Sequence, residues 1–123
     1  MSNKSILLVE DDEFLQQLYF ELLSNEKFHV TASGDGTEAL KLIESKNWDL
    51  ILLDIMLPGL DGFQIVEKLE KTQKKKLNTI VYLTNLDGND DDLKKLKKVR
   101  KFMIKSDMSP LEFVENVKKL LSK

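Results

Sequence analysis

The 123-residue sequence contains no cysteine. A disulfide framework, a thiolate metal site and a cysteine nucleophile are therefore excluded, and the absence fits a cytoplasmic protein. Long apolar runs are missing too, since no window approaches the roughly 18 consecutive apolar residues that a membrane span needs. The first apolar run covers only residues 6–9, which is too short for the core of a signal peptide. We therefore expect no membrane partner.

Features that would separate two domains are also scarce. The chain has two prolines and five glycines, and it contains no linker, internal repeat or low-complexity tail. Its length fits one domain, so we predict a single domain over residues 1–123. The net charge of −2 argues neither for nor against a nucleic-acid partner. The only histidine, His29, lies at the start of a predicted strand, and we expect it to be structural.

Short apolar runs alternate with segments of helical periodicity along the chain. The predicted strands cover residues 5–9, 28–32, 50–53, 78–84 and 102–104. The predicted helices cover residues 13–24, 35–46, 61–71, 90–100 and the segment that follows the capping sequence SPLE at residues 109–112. Near-continuous apolar strands are typical of a parallel sheet that is covered on both faces. Five βα units with right-handed crossovers predict an α/β fold with a doubly wound parallel sheet.

Polar residues stand at or just after the ends of the predicted strands. They comprise three carboxylates, a hydroxyl and an ammonium group: Glu10, Asp11, Asp54, Thr84 and Lys105. Because the carboxyl ends of parallel strands meet at one edge of a sheet, we expect these groups to share a pocket. Carboxylates about 5 Å apart repel each other by roughly 3 kcal/mol per pair at an effective dielectric constant of about 20. A hard cation such as Mg²⁺, together with Lys105, would neutralise them.

Asp54 is the residue that such a pocket would activate. A carboxylate that a cation and a lysine keep ionised can attack phosphorus and become an aspartyl phosphate. Lys105 would then contact the equatorial phosphoryl oxygens, and the Thr84 hydroxyl would donate a hydrogen bond. The nearby carboxylate Asp12 is expected only to cap the first helix.

Four segments carry a resemblance to a known family: ILLVEDD, LILLDIMLPGLDG, IVYLT and FMIK. In order and approximate spacing they resemble the receiver domains of two-component response regulators, over essentially the whole chain. The resemblance implies a flavodoxin-like strand order of 2-1-3-4-5. It also implies that Glu10, Asp11, Asp54 and the backbone carbonyl of Met56 bind Mg²⁺ or Mn²⁺.

The same resemblance implies roles in phosphoryl chemistry and in switching. Asp54 would be the phosphoacceptor, with Thr84 and Lys105 as its catalytic partners. Thr84 would also be the switch hydroxyl, and Phe102 would be the switch aromatic. A core aromatic without a switching role is an equally good interpretation of Phe102.

Two apolar side chains are expected to set the lifetime of the phosphoryl group. In receiver domains, the positions of Met56 and Leu86 flank the line along which water attacks the aspartyl phosphate. Because neither side chain can orient a water molecule, the resemblance implies slow self-dephosphorylation.

The function that the resemblance implies is that of a signalling switch. Such a chain would accept phosphate from a histidine kinase or a histidine phosphotransfer protein and change the face formed by its fourth helix, fifth strand and fifth helix. We expect a stand-alone receiver with no output domain, an unknown downstream protein target and a possible homodimer on phosphorylation. It would be a switch rather than an enzyme, although it would catalyse its own phosphorylation and dephosphorylation.

The sequence departs from the family pattern near the fourth and fifth strands. Asn85 stands where a small residue is usual, and Ser106 stands where proline is usual. The segment KKVRKF lacks the Gly-Ala pair that usually precedes the last strand. These departures leave the phosphate pocket intact and concern the fourth helix and its surface.

Three other functions remain as alternatives. A degenerate receiver could serve as a non-phosphorylated binding scaffold. A phosphatase of the haloacid dehalogenase type would need an acid two residues after its nucleophile, where this chain has Met56. A flavodoxin-like flavin binder would need a phosphate loop after the first strand, where this chain has acidic residues.

A basic segment near the predicted fourth helix invites a further interpretation. Its cations are Lys94, Lys95, Lys97, Lys98, Arg100 and Lys101. Basic residues at the end of a helix also simply complement its dipole, which we favour. If the helical face of Lys94, Lys98 and Lys101 is functional, an acidic protein partner is more probable than nucleic acid.

Overall fold

A parallel β-sheet forms the centre of the computed structural model, which describes residues 3–85 and 94–122. Within these ranges the strands are Ser5–Val9 (β1), His29–Ser33 (β2), Leu50–Asp54 (β3), Ile80–Thr84 (β4) and Lys101–Ile104 (β5). They lie in the order β2-β1-β3-β4-β5, and each neighbouring pair is parallel. The predicted α/β class and the strand order 2-1-3-4-5 are confirmed.

Helices cover both faces of this sheet. They are Glu13–Asn25 (α1), Gly36–Ser45 (α2), Gly62–Thr72 (α3), residues 94–96 (α4) and Pro110–Leu121 (α5). Side chains that accept hydrogen bonds from first-turn amides cap four of them, namely Asp12, Asp35, Asp61 and Ser109. The predicted cap at Asp12 and the predicted capping box of the last helix are both present. None of the described helices is long and apolar enough to cross a bilayer.

The alternation of side chains along the strands divides the core into two layers. Leu7 and Val9 of β1 face the layer that contains side chains of α2 and α3, whereas Ile6 and Leu8 face the layer that contains side chains of α1 and α5. Every residue of β3 and β4 is buried. Burial on both faces explains why these strands read as continuous apolar runs.

The helix predicted over residues 90–100 is wrong at its carboxyl end. Residues 90–93 lie outside the described residues, residues 94–96 are helical, and residues 97–100 form turns and bends. The Arg100 amide donates to the Ile80 carbonyl at 3.1 Å, and Lys101 already pairs with Val81 in the sheet. The helix ends early because pairing of β5 with β4 requires extended backbone.

This correction also removes the predicted helical face of basic residues. Lys94 lies in α4, Lys98 follows it in a turn, and Lys101 begins β5. Lys98 Nζ instead lies 3.2 Å from Glu70 Oε1 on α3. The three lysines therefore do not share one helical face.

Four strands also differ from the predictions at their ends. The third strand extends to Asp54, one residue further than predicted, and the fifth begins at Lys101, one residue earlier. The segment Lys74–Thr79 forms a 3₁₀ helix, so β4 begins at Ile80 rather than at residue 78. The second strand begins one residue later than predicted and extends to Ser33. None of these shifts changes which site residues stand at the carboxyl edge of the sheet.

Candidate functional site

Four polar residues stand at the carboxyl edge of the sheet. Asp54 is the last residue of β3 and Thr84 the last of β4, while Glu10 and Lys105 directly follow β1 and β5. Glu10, Asp54 and Thr84 are buried, with 0%, 4% and 2% of their surfaces exposed. Carboxylates buried to the degree of Glu10 and Asp54 require partners.

Lys105 is the cationic partner of two of these carboxylates. Its Nζ lies 2.9 Å from Glu10 Oε1 and 3.1 Å from Asp54 Oδ2. These three side chains expose no more than 10% of their surfaces, so water screens the pairs far less than it screens surface ion pairs. The predicted convergence of Glu10, Asp54 and Lys105 is therefore present in the structure.

Backbone contacts fix the Asp54 carboxylate from the β3 side. The amide of Ile55 donates to Asp54 Oδ1 at 2.7 Å, and the amide of Gly62 donates to the Ile55 carbonyl at 2.8 Å. A Cβ atom on Gly62 would lie 2.6 Å from the Asp54 carbonyl oxygen, so only glycine allows α3 to begin this close to the strand.

Glu10 is held by three contacts beyond Lys105. Its Oε2 accepts the Asp12 amide at 3.1 Å, and its own amide donates to the Ser33 carbonyl at 2.9 Å. The side-chain amide of Gln16 donates to the Glu10 carbonyl at 2.7 Å. Sequence reasoning missed the supporting role of Gln16, because no motif relates a helix residue to a strand-end carbonyl six positions earlier.

Burial changes the acid–base properties of the site. Burial, followed by hydrogen bonding to Asp54 and the charge of Asp54, raises the pKa of Glu10 to about 7. Burial alone would lower the pKa of Lys105, but its hydrogen bonds with Glu10 and Asp54 and their charges raise that pKa overall. Lys105 therefore remains an ammonium group at neutral pH.

The acidic residues also form a group that could hold a metal ion. One carboxylate oxygen from each of Glu10, Asp11 and Asp54 lies within 4.8 Å of the others. Asp11 is exposed, whereas Glu10 and Asp54 are buried, so the cluster has one open side. A set of carboxylate oxygens suits a hard cation such as Mg²⁺.

The remaining predicted site residues have different surroundings. The Met56 side chain is 69% exposed, and metal binding by its backbone carbonyl stays a prediction. Phe102 is half-buried and pairs in register with Tyr82, which does not separate a switching role from a core role. Leu86 lies outside the described residues, so its proposed control of water stays a prediction. His29 is exposed at the start of β2.

Comparison with known proteins places the chain in a family. A parallel sheet of order 2-1-3-4-5 with an acidic cluster at its carboxyl edge defines an open α/β domain whose binding site lies at the carboxyl ends of the strands. The family model described as the response regulator receiver domain matches residues 6–118, so the chain belongs to this family. Receiver domains are signalling modules that bind Mg²⁺ in an acidic pocket, and the predicted resemblance is confirmed.

Two curated relatives are named as regulatory proteins. The chain is 36% identical over 119 residues to the alkaline phosphatase synthesis transcriptional regulatory protein PhoP of Bacillus subtilis (strain 168), covering 97% of this chain and 49% of that protein. It is 35% identical over 118 residues to the regulatory protein VanRc of Enterococcus gallinarum, covering 96% of this chain and 49% of the relative. The chain thus spans about half the length of these curated relatives.

Solved receiver domains share the whole fold. The Francisella response regulator 1452 receiver domain is 30% identical with a TM-score of 0.82, and the alignment covers 97% of both chains. The non-phosphorylated HemR receiver domain from Leptospira biflexa is 29% identical with a TM-score of 0.84, covering 98% of this chain and 96% of that one.

Proposed function

We propose that this chain is a phosphorylation switch in which Asp54 accepts a phosphoryl group from the phosphohistidine of a histidine kinase or phosphotransfer protein. One observation carries the proposal. Asp54 is a buried carboxylate that is paired with Lys105 at 3.1 Å and grouped with two further acids that could hold a metal ion. Carboxylate, cationic donor and acidic cluster are the parts that phosphoryl transfer to aspartate requires.

The acidic cluster fits the divalent cation that the family uses. Glu10, Asp11 and Asp54 would hold Mg²⁺ or Mn²⁺, with the backbone carbonyl of Met56 as a further ligand. When bound, the cation offsets negative charge on the transferring phosphoryl group. The open side at Asp11 leaves room for water and phosphoryl oxygens.

The chain's own residues prepare Asp54 for attack. The Ile55 amide holds Asp54 Oδ1, and Lys105 holds Oδ2, so the carboxylate is fixed before the donor arrives. A carboxylate oxygen forms the new bond to phosphorus, the bond between phosphorus and the histidine nitrogen breaks, and that nitrogen keeps the bonding electron pair. Lys105 then contacts a phosphoryl oxygen, and the hydroxyl of Thr84 donates to another.

Phosphorylation is proposed to act on the face formed by α4, β5 and α5. Thr84 ends β4 and pairs in register with Ile104 of β5, and Phe102 lies two residues before Ile104 in the same strand. A shift of Thr84 toward the phosphoryl group would therefore also displace the paired residues of β5. We propose that the downstream target is a protein. A second copy of the chain is a further proposed partner of the phosphorylated form.

Chemical phosphorylation tests this proposal. Acetyl phosphate or phosphoramidate with Mg²⁺ should add one phosphoryl group, detected by intact mass, and Asp54→Asn should abolish the addition. Asp12→Asn is the matched control, because Asp12 caps α1 and asparagine caps helices equally well. Equal labelling of the Asp54→Asn variant would contradict the assignment.

A further inference from the structure

Lys105 lies just beyond the last paired residue of the sheet. The final pair between β4 and β5 joins Thr84 and Ile104, so the register ends one residue before Lys105. Lys105 instead begins a 3₁₀ turn, Lys105–Asp107. The position of its backbone therefore depends on what holds this turn.

A side-chain hydrogen bond ties the turn to the end of β4. The Ser106 amide donates to Asn85 Oδ1 at 2.9 Å, and Asn85 directly follows Thr84. Within the turn itself, the Met108 amide donates to the Lys105 carbonyl at a longer 3.3 Å. Asn85 thus adds one more link between β4 and the β5 segment after the strand pairing has stopped.

This link joins the neighbours of two site residues. Asn85 is bonded covalently to Thr84, and Ser106 is bonded covalently to Lys105, so one hydrogen bond restrains both positions. A lysine side chain has four rotatable carbon–carbon bonds and large rotamer freedom. Its ammonium group can hold 2.9 and 3.1 Å contacts with Glu10 and Asp54 only while its backbone stays in place.

We propose that Asn85 is a positioning residue for Lys105, acting through the Ser106 amide. This inference rests on the proposed function, because it concerns how Lys105 meets a phosphoryl group. Removing the side-chain carbonyl of Asn85 releases the turn Lys105–Asp107. The ammonium group of Lys105 then spends less time at the phosphoryl position. Binding of a phosphoryl mimic should weaken about tenfold, while binding of Mg²⁺ alone should change less than twofold. Asn85 is not part of the acidic cluster.

The experiment compares variants of Asn85 in the full chain. Beryllium fluoride serves as the phosphoryl mimic, and its affinity at saturating Mg²⁺ is measured by calorimetry. Asn85→Ala removes the acceptor together with bulk, and Asn85→Leu removes the acceptor at similar size. Ser106→Ala is the matched control, since it keeps the backbone amide that donates the bond.

Both Asn85 variants should lose affinity for beryllium fluoride, and Ser106→Ala should match the parent protein. Parent-like affinity in Asn85→Leu would overturn the inference, because side-chain size rather than the hydrogen bond would then matter. Equal weakening of Mg²⁺ and beryllium fluoride binding would also overturn it, because that result indicates general loosening of the site.

Amide exchange gives a second measurement that needs no phosphoryl group. The Ser106 amide should exchange with solvent faster in both Asn85 variants than in the parent protein, and unchanged exchange would overturn the inference. Labelling of the parent separates the two proposals. If acetyl phosphate labels Asp54 but the Asn85 variants bind the mimic normally, only the role of Asn85 fails. If the parent takes no label and binds no mimic, the proposed function fails first.

Discussion

Tyr82 occupies the middle of β4, with none of its surface exposed. Its ring contacts Phe63 edge to face, with 5.5 Å between the ring centroids. Its hydroxyl, however, finds no hydrogen-bond partner among the described residues. Burial raises the pKa of Tyr82, so the group stays a neutral hydroxyl at any physiological pH. A buried hydroxyl without a partner costs about 1–3 kcal/mol.

Replacing this tyrosine by phenylalanine should therefore stabilise the protein. Tyr82→Phe keeps the ring contact with Phe63 and removes the polar atom, so we expect the free energy of unfolding in urea to rise by about 1 kcal/mol. Tyr19→Phe is the matched control, because Tyr19 is buried but its hydroxyl is not among the unpartnered buried groups of the described residues. Destabilisation by Tyr82→Phe would show that its hydroxyl has a partner in solution.

The start of α2 closes the loop that follows β3. The Gly36 amide donates to the Pro58 carbonyl at 3.0 Å, and a Cβ atom on Gly36 would lie 1.6 Å from the Leu60 carbonyl oxygen. This backbone-to-backbone approach leaves no room for a side chain. The loop between Asp54 and α3 is therefore held in part by α2, which packs on the same face of the sheet as α3.

Substitution of Gly36 should separate this contact from ordinary glycine effects. Gly36→Ala forces the loop away from α2, and we expect a loss of roughly 3 kcal/mol in the free energy of unfolding. Gly34→Ala is the matched control, because its Cβ atom would come no closer than 3.4 Å to any neighbour. Similar losses in the two variants would contradict a specific role for the contact of Gly36 with the loop.

At the scale of the whole molecule, the acidic edge opposes folding and the apolar layers favour it. Three carboxylates meet one ammonium group at the carboxyl edge, and the raised pKa of Glu10 shows that its charged form is disfavoured there. Burial of two apolar layers, one on each face of the sheet, offsets the unfavourable free energy of this acidic edge. A bound divalent cation would reduce the repulsion among the three carboxylates.

Stability without metal should therefore fall as the pH rises. The pKa of Glu10 is about 7 in the folded protein and near its ordinary value of 4.5 when unfolded. Between these values the folded state holds the extra proton, so the free energy of unfolding decreases with rising pH, by roughly 2–3 kcal/mol between pH 5 and pH 8. Urea unfolding at pH 5 and pH 8 in the presence of a chelator measures this loss.

The Glu10→Gln variant is the control for that measurement, because it cannot lose the proton and should show a smaller loss between pH 5 and pH 8. Added Mg²⁺ should recover stability in the parent protein at pH 8, since it binds the ionised carboxylates of the folded state. An equal pH dependence in the parent and in Glu10→Gln would contradict the role of Glu10.

The sequence by itself determined the sheet, most of the helices and the proximity of Glu10, Asp54 and Lys105 at one edge of the sheet. Apolar runs, helical periodicity and caps are local signals, and strand ends of a parallel sheet must share one edge. Only the tertiary structure decided where α4 ends, which residues support Glu10, and that the Asn85 side chain accepts a hydrogen bond from the Ser106 amide. These features depend on contacts between segments that no local pattern relates: Arg100 with Ile80, Gln16 with Glu10, and two loops 21 residues apart.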